Sequence, residues 1–242
     1  MLRKYFIAVC DILGFSKLIE DDPLDVVVNN SIAWFRRSLH HSLHKDGFPE
    51  KPPDFEVLNR HPDVGLVWFS DTILLYTKED SNDCVISLLS TIGWLIFETL
   101  VQGKMKIRCG ISYGDAFVDP NNSLYVGRPI VDAYRLEKCQ KWSGGALTPE
   151  AVSRVPEVYR DGRHPEYWLR PYPVPVGKGE TIDTLAVDWT WGIHSLDLKL
   201  QWSKELPQPS SEDWIKRPDI CEKWYNTKKF HDDGCHSCVR RP

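Results

Sequence analysis

Two short apolar runs lie close enough in the sequence to restrict how they can fold. Residues 64–69 and 72–77 are rich in β-branched and aromatic side chains, and only Ser70 and Asp71 separate them. Two strands joined by two residues fold back on each other as antiparallel neighbours. The sequence therefore predicts a tight β-hairpin with Asp71 at its tip.

A second aspartate, Asp11, follows another apolar and β-prone run, residues 5–10. A carboxylate beside buried strand residues is costly unless it is paired or holds a metal ion. Gly14-Phe15-Ser16 follows at a predicted helix start, where free backbone N–H groups suit phosphate. Taken singly, Asp11 is more simply a helix cap and Asp71 a turn residue. Together they indicate a site for a cation and a phosphate.

The periodicity of the chain predicts an α+β fold. Helical spacing covers residues 23–45, 82–102 and 127–142, and strand-like alternation covers 104–113. The resulting order, β-α-β-β-α-β, is the ferredoxin-like or palm arrangement. In it the first strand is a neighbour of the third, so Asp11 and Asp71 are expected to converge. Later elements are a short strand at 144–148, a small helix from Pro149 and a strand at 182–191.

The composition disfavours several classes of protein. Hydrophobic residues make up 42% of the 242 residues and charged residues 26%, as in ordinary globular proteins. The net charge of −4 gives no general attraction to nucleic acid. The apolar stretch 86–101 is interrupted by polar residues and is shorter than the ~20 residues of a membrane span, so it predicts a buried helix. With no room for a signal peptide before the first strand, we expect a cytoplasmic protein.

The composition changes after about residue 195. We assign residues 1–190 to one domain and 191–242 to a C-terminal extension rich in tryptophan and proline, packed on that domain rather than forming a second one. Cys221, Cys235 and Cys238 lie in this extension with two histidines nearby. A Cys-x-x-Cys pair can bind zinc, but a second regularly spaced pair is missing. A loosely ordered tail is the favoured alternative.

Four motifs, in this order, resemble those of the class III nucleotidyl cyclases, the adenylate and guanylate cyclase catalytic domain. The resemblance spans roughly residues 4–190, and no single motif would be specific alone. The motifs are Asp11-Ile-Leu-Gly-Phe-Ser16, the hairpin aspartate Asp71, Arg108-Cys-Gly-Ile-Ser-Tyr-Gly114 and Gly127-Arg-Pro-Ile-Val-Asp-Ala-Tyr-Arg135-Leu136.

The resemblance implies a site for each part of a nucleotide. Asp11, Asp71 and the Ile12 carbonyl would hold two Mn²⁺ or Mg²⁺ ions. Gly14, Phe15 and Ser16 would cradle the phosphates. It also implies a head-to-tail homodimer, with the metal aspartates of one subunit facing the arginine of the other.

Two basic residues complete the implied site. Arg135 would offset charge on the α-phosphate, and its alternative is a surface ion pair with Asp132 or Glu137. Lys178 would contact the terminal phosphates, and its alternative is a solvated loop lysine.

The sequence departs from the family where the purine base is read. The adenine-reading lysine and aspartate are replaced by Val67 and Leu124, and the guanine-reading pair is absent too. Val131 stands where the family has its ribose-orienting asparagine, with Asp132 beside it. Buried polar side chains that hydrogen-bond one base reject a mismatched base strongly, because they would be left unpaired. The loss of these side chains therefore argues against ordinary ATP or GTP recognition.

A lone domain with these departures is similar to the pyrimidine cyclases of the bacterial Pycsar anti-phage system. That likeness implies conversion of UTP to cyclic UMP, which activates a separate effector without direct contact. UTP is favoured on family frequency only. Cyclic CMP, or an adenylate or guanylate cyclase, is the enzymatic alternative. An inactive cyclase fold that senses nucleotides or binds partners is the alternative of another class.

Overall fold

The computed structural model describes residues 2–101, 105–156, 159, 169–190 and 218–238. Eight strands in these residues form one sheet. They are β1 (Leu2–Leu13), β2 (Val64–Phe69), β3 (Thr72–Thr77), β4 (Lys106–Asp119), β5 (Leu124–Gly127), β6 (Gly144–Leu147), β7 (Leu169–Gly177) and β8 (Glu180–Val187).

The strand order places β1 between the hairpin and β4. The sheet runs β2-β3-β1-β4-β6-β8-β7, and β5 pairs with β4 outside this path. β1 is antiparallel to both β3 and β4. The first four strands therefore have the ferredoxin-like order, and the predicted α+β class and β1–β3 contact are confirmed.

Helices lie on both faces of the sheet. They are α1 (Phe15–Asp21), α2 (Leu24–Val26), α3 (Ala33–His44), α4 (Phe55–Leu58), α5 (Asn82–Val101), α6 (Arg128–Cys139), α7 (Pro149–Arg154) and α8 (Pro218–Cys238), with a π-helical segment at Val27–Ile32 and a 3₁₀ turn at Pro120–Asn122. The main core joins α3 and α5 to Phe6, Ala8, Cys10 and Ile12 of β1. The opposite face of β4 is covered by α6.

The packing of α6 on β4 depends on one glycine. A Cβ atom at Gly110 would lie 2.1 Å from the Ala133 carbonyl oxygen and 2.6 Å from the Glu137 amide nitrogen. Both are backbone atoms of α6, so no side-chain adjustment could relieve the clash. Only a residue without a Cβ lets the helix approach the sheet this closely.

α5 is the described helix that is long and apolar enough to cross a membrane, over residues 82–100. In the structure 78% of its apolar window is buried inside the protein. It packs against the sheet as part of the main core. The prediction of a buried helix is confirmed.

Several predicted boundaries differ from the structure. The hairpin strands fall at the predicted residues, whereas the single helix predicted for 23–45 contains a π-helical segment. β7 was not predicted because it carries Pro171, Pro173 and Pro175, which cannot donate backbone hydrogen bonds. β7 ends the sheet order and pairs with β8 alone, a position that tolerates proline.

The C-terminal extension contains a 21-residue helix, α8, where the sequence analysis expected no regular structure. Phe230 is fully buried and packs on Trp142 and Tyr172. Thr227 Oγ1 also accepts a hydrogen bond from the Ser143 amide, at 2.8 Å. The described part of the extension thus joins the main core.

The zinc hypothesis concerns side chains that the structure does not describe. Cys221 is buried, but the side chains of Cys235 and Cys238 lie outside the described part of the chain. Trp202 and Trp214, two tryptophans of the extension, also lie outside the described residues. These expectations therefore stay predictions.

Candidate active site

The sheet brings the two predicted metal-binding segments side by side. Asp11 on β1 is paired with Thr72 on β3, and the Ile12 amide donates a hydrogen bond to the Asp71 carbonyl oxygen at 2.9 Å. Ser70 adopts a left-handed conformation, with φ 57°, that completes the two-residue turn. The strand continues through Leu13, so Ile12, whose carbonyl was expected to be a metal ligand, lies within β1.

The Asp11 side chain lies on the α6 side of the sheet and is paired with two cations. Its Oδ1 is 3.1 Å from Lys138 Nζ, and its Oδ2 is 3.4 Å from Arg108 Nη2. Only 7% of Asp11 is exposed. A buried carboxylate needs such compensation, so Asp11 is not a solvated helix cap.

Arg108 connects Asp11 to a second buried carboxylate. Its Nε donates to Glu137 Oε1 at 2.6 Å, and its Nη1 donates to the Gln140 carbonyl oxygen at 3.0 Å. Glu137 is fully buried, and its Oε2 has no hydrogen-bond partner among the described residues. Burial raises the pKa of Glu137, although Arg108 opposes the shift. Four charged groups thus form one cluster, defined here as the Asp11 cluster: Asp11, Arg108, Glu137 and Lys138.

Lys138 is the most exposed member of the Asp11 cluster. Its side chain is 45% exposed, whereas that of Arg108 is 7% exposed. Burial lowers the pKa of Lys138, but the carboxylates of Glu137 and Asp11 outweigh it and raise the pKa overall. Lys138 is therefore held as an ammonium ion beside Asp11.

Asp71 is half-buried at the hairpin tip, where Thr72 Oγ1 donates to its Oδ1 at 3.5 Å. No group of three or more His, Cys, Asp or Glu side chains suited to a metal occurs in the described ranges. A cation here would therefore need backbone or phosphate oxygens beside Asp11 and Asp71. Mg²⁺ and Mn²⁺ are hard ions that accept such a mixed set of oxygen donors. The donor chemistry fits these ions.

The turn after β1 begins a helix as predicted. Gly14 has φ 80°, a conformation that favours glycine, and α1 starts at Phe15. Phe15 packs against the main core, while Ser16 is exposed. The turn opens on a cavity of about 580 Å³, whose lining includes Ile12, Gly14, Phe15, Lys17 and Trp34. There is room for a ligand beside the predicted phosphate-binding residues.

Arg135 lies apart from Asp11 within the chain. Its side chain is 75% exposed, and Nη1 lies 3.8 Å from Asp132 Oδ1. This is one of the ion pairs considered from the sequence. The other does not form, because Glu137 pairs with Arg108. Arg135 is thus displayed on the surface of α6, where a second molecule can reach it.

Lys178 is exposed at the tip of the β7–β8 hairpin, between Gly177 and Gly179. β8 and β7 are three and four strands away from β1 in the sheet. A Cβ at Gly177 would lie 3.1 Å from the Lys141 side chain, which places this tip beside the segment after α6. The structure does not bring Lys178 into the Asp11 cluster.

Arg108 and Lys138 had no predicted role in the site, and Glu137 was considered only as an ion-pair partner of Arg135. Arg108 was quoted within a motif, and its signal was a charged residue inside an otherwise apolar strand. Its partners come from the register of β1 on β4, which sets Asp11 opposite Arg108, and from the close approach of α6. Neither can be read from the sequence of one segment.

No protein-family model matches the chain, and no curated protein matches it significantly in sequence. Solved structures that resemble it are nucleotide cyclase domains. The guanylate cyclase domain of RhGC from Catenaria anguillulae, in complex with GTP, is 15% identical with a TM-score of 0.48, over 77% of this chain and 97% of that one. The adenylyl cyclase CyaB from P. aeruginosa is 14% identical with a TM-score of 0.48, over 77% and 93%. The adenylate/guanylate cyclase/hydrolase from Silicibacter pomeroyi is 15% identical with a TM-score of 0.47, over 77% and 95%. At these values the likeness alone establishes neither activity nor substrate.

Proposed function

We propose that this protein is a nucleotide cyclase that converts UTP to 3′,5′-cyclic UMP and pyrophosphate. The observation that carries the proposal is the placement of Asp11 on β1 next to Asp71 in the turn before β3. Asp11 and Asp71 lie at the same end of the β1–β3 pair, and Asp11 is close in the chain to the β1–α1 turn. Two carboxylates at one end of a strand pair, followed by a glycine turn and a helix start, suit binding of a metal–nucleotide complex.

The proposed reaction forms one bond and breaks another at the α-phosphorus. The ribose 3′-oxygen loses its proton and attacks that phosphorus, and pyrophosphate leaves with the bridging oxygen. Two Mn²⁺ or Mg²⁺ ions held by Asp11, Asp71 and the Ile12 carbonyl would lower the pKa of the attacking hydroxyl and neutralise the leaving group. Gly14, Phe15 and Ser16 position the phosphates, and Lys178 contacts the terminal ones in this proposal.

Arg135 completes the site from a second subunit. A guanidinium is permanently charged and can bond two phosphate oxygens, so it suits charge that develops on the α-phosphate. Its exposure supports contact in trans. Large apolar side chains are exposed nearby on α6 and β5, and such a cluster is typical of a contact surface. They are Leu124, Val126, Val131 and Tyr134. We place the homodimer contact on this face.

The choice of a pyrimidine rests on Val67 and Leu124. Both are apolar where purine-reading members carry hydrogen-bonding groups, and Leu124 is 48% exposed at the start of β5. Neither side chain can form a hydrogen bond with the edge of a purine base. Cyclic UMP made here would act as a second messenger in anti-phage defence, through an effector that binds the nucleotide and not this protein.

The activity is tested by incubating the purified protein with each of the four nucleoside triphosphates and Mn²⁺, with cyclic products separated by mass spectrometry. Cyclic UMP should dominate. Cyclic CMP, cyclic AMP or cyclic GMP alone would overturn the choice of base, and no cyclic product from any substrate would overturn the activity. Asp71→Ala should lose nearly all turnover, since it removes one of two carboxylate ligands.

Mixing two inactive variants tests the shared site. Asp71→Ala and Arg135→Ala each disable both sites of a homodimer, but a mixed dimer retains one site with both residues intact. Random exchange should therefore restore roughly a quarter of the wild-type rate. If the mixture is no more active than either variant alone, Asp71 and Arg135 do not act across a subunit interface.

One observation favours the alternative of another class, an inactive cyclase-like fold. Both carboxylate oxygens of Asp11 are already engaged by Lys138 and Arg108. In a purely structural role this pairing would be permanent. A wild-type protein without turnover that still binds nucleotide in equilibrium dialysis would support the alternative.

A further inference from the structure

We propose that Lys138 is the resident counter-ion of Asp11 and is displaced when a divalent cation binds, so that Lys138 sets the metal affinity. The proposal rests on the metal site of the proposed function. Lys138 Nζ lies 3.1 Å from Asp11 Oδ1, so it occupies space that a cation bound to that oxygen would need. Metal ion and ammonium cannot share this position.

The charge balance of the Asp11 cluster makes them competitors. Two carboxylates, Asp11 and Glu137, face two cations, Arg108 and Lys138, so the cluster is neutral as it stands. With Asp71, the other proposed ligand, the site carries one net negative charge, and a divalent ion would make it positive. Such an addition is unfavourable unless one of the resident cations moves away.

Arg108 cannot be the cation that moves. It is held by Glu137 and by the Gln140 carbonyl as well as by Asp11, and its side chain is almost fully buried. Releasing it would leave the buried Glu137 without its main cation.

Lys138 can leave the cluster with little loss. Nearly half of its side chain already contacts solvent, and its ammonium lies 5.6 Å from the centre of the Tyr134 ring. An aromatic face at this distance attracts a cation, so Tyr134 already contacts the ammonium and can continue to do so when it leaves Asp11.

Glu137 shows that the present pairing is incomplete. Its Oε2 is buried without a hydrogen bond among the described residues, and Lys138 Nζ approaches it only to 3.6 Å. The ammonium is thus divided between two carboxylates and satisfies neither fully. This division weakens its hold on Asp11.

The test is Mn²⁺ binding without nucleotide, measured by the loss of the electron paramagnetic resonance signal of free Mn²⁺. Lys138→Gln should bind Mn²⁺ about tenfold more tightly than wild type. This is the effect of removing one positive charge that lies about 6 Å from a divalent ion, with the dielectric constant of water between them. Lys138→Arg keeps the charge and should not bind more tightly. Lys141→Gln, the matched control, removes the same charge three residues away and should change the Kd by less than about twofold.

Each outcome decides the proposal. Equal affinities for Lys138→Gln and Lys141→Gln, or equal tightening by Lys138→Arg, would overturn it. Mn²⁺ binding that Asp11→Asn does not weaken, or no saturable binding in any variant, would overturn it as well. Tighter binding by Lys138→Gln alone supports it, even if no variant makes a cyclic nucleotide. In that last case the proposed function would fail while the role of Lys138 would stand.

Discussion

Replacing Arg108 with methionine should destabilise the protein in a strongly pH-dependent way. Methionine fills much of the same volume but leaves Glu137, which is fully buried, without its main cation. The Gln140 carbonyl also loses a donor. Asp11 keeps Lys138 and is affected less.

The magnitude follows from the cheapest way to remove the unpaired charge, which is to protonate Glu137. For a carboxyl with an ordinary pKa of 4.5, this costs about 3.4 kcal/mol at pH 7, at about 1.4 kcal/mol per pH unit. At pH 5 the same step costs only about 0.7 kcal/mol. The lost hydrogen bond to Gln140 adds about 1–3 kcal/mol at either pH.

The sign of the pH dependence is fixed by the direction of the pKa shift. Burial already raises the pKa of Glu137 in the wild type, and removing Arg108 removes the largest opposing influence. A carboxyl whose pKa is higher in the folded state favours folding below its unfolded pKa and loses that contribution as the pH rises. The destabilisation caused by Arg108→Met should therefore shrink by about 2–3 kcal/mol between pH 7 and pH 5.

Urea unfolding followed by tryptophan fluorescence at both pH values measures this difference. Glu137→Gln removes the titrating group, so the double variant Arg108→Met/Glu137→Gln should show no such pH dependence relative to Glu137→Gln alone. An equal destabilisation by Arg108→Met at pH 5 and pH 7 would refute the reasoning. A destabilisation by Arg108→Met of less than about 1 kcal/mol at pH 7 would refute it as well.

Three further changes test the packing and the titration of the fold. Gly110→Ala places a Cβ 2.1 Å from the Ala133 carbonyl oxygen. We expect the free energy of unfolding, measured with urea, to fall by at least about 1–3 kcal/mol. A wild-type midpoint would contradict the close approach of α6. Burial lowers the pKa of His61, whose Nδ1 accepts two backbone N–H groups, so stability present above pH 6.5 is lost as the pH falls through the folded pKa. His61→Asn keeps an acceptor without titrating, and the drop in Tm from pH 7.5 to 5.5 should become smaller than in wild type. Phe230→Ala should cost about 3–5 kcal/mol, because Phe230 is fully buried against Trp142. A loss below about 1 kcal/mol would show that α8 is not part of the core.

The elements that could be predicted from the sequence are those with strong local signals. The hairpin at 64–69 and 72–77 is specified by two apolar runs with a two-residue gap, and its bounds are correct. The β-α-β-β-α-β order and the contact of β1 with β3 follow from it. β7 was missed because alternate prolines are atypical of strands, and only its pairing with β8 alone makes them acceptable.

The candidate site could be predicted only in part. Asp11 and Asp71 were identified from their strand ends, and the sheet brings their backbones together. The pairing of Asp11 with Arg108 joins residues 97 positions apart, and it depends on strand register. Glu137 was considered as a partner of Arg135 because they are near in sequence, but it faces the sheet and pairs with Arg108. Local spacing does not reveal which side of α6 is buried by a close approach at Gly110.

The direct backbone contact at Gly110 also limits where this molecule can rearrange around a ligand. β4 and α6 have no side-chain layer between them at this point, so α6 and its exposed Arg135 are held in place on the sheet. α1 contributes Phe15, Lys17 and Leu18 to the lining of the cavity and has no fully buried residue, so its movement disturbs the core less than a shift of α6 would. Closure around a nucleotide would then come from movement of α1. Microsecond-to-millisecond conformational exchange, measured by NMR relaxation dispersion, should therefore concentrate in residues 14–21 rather than 128–139.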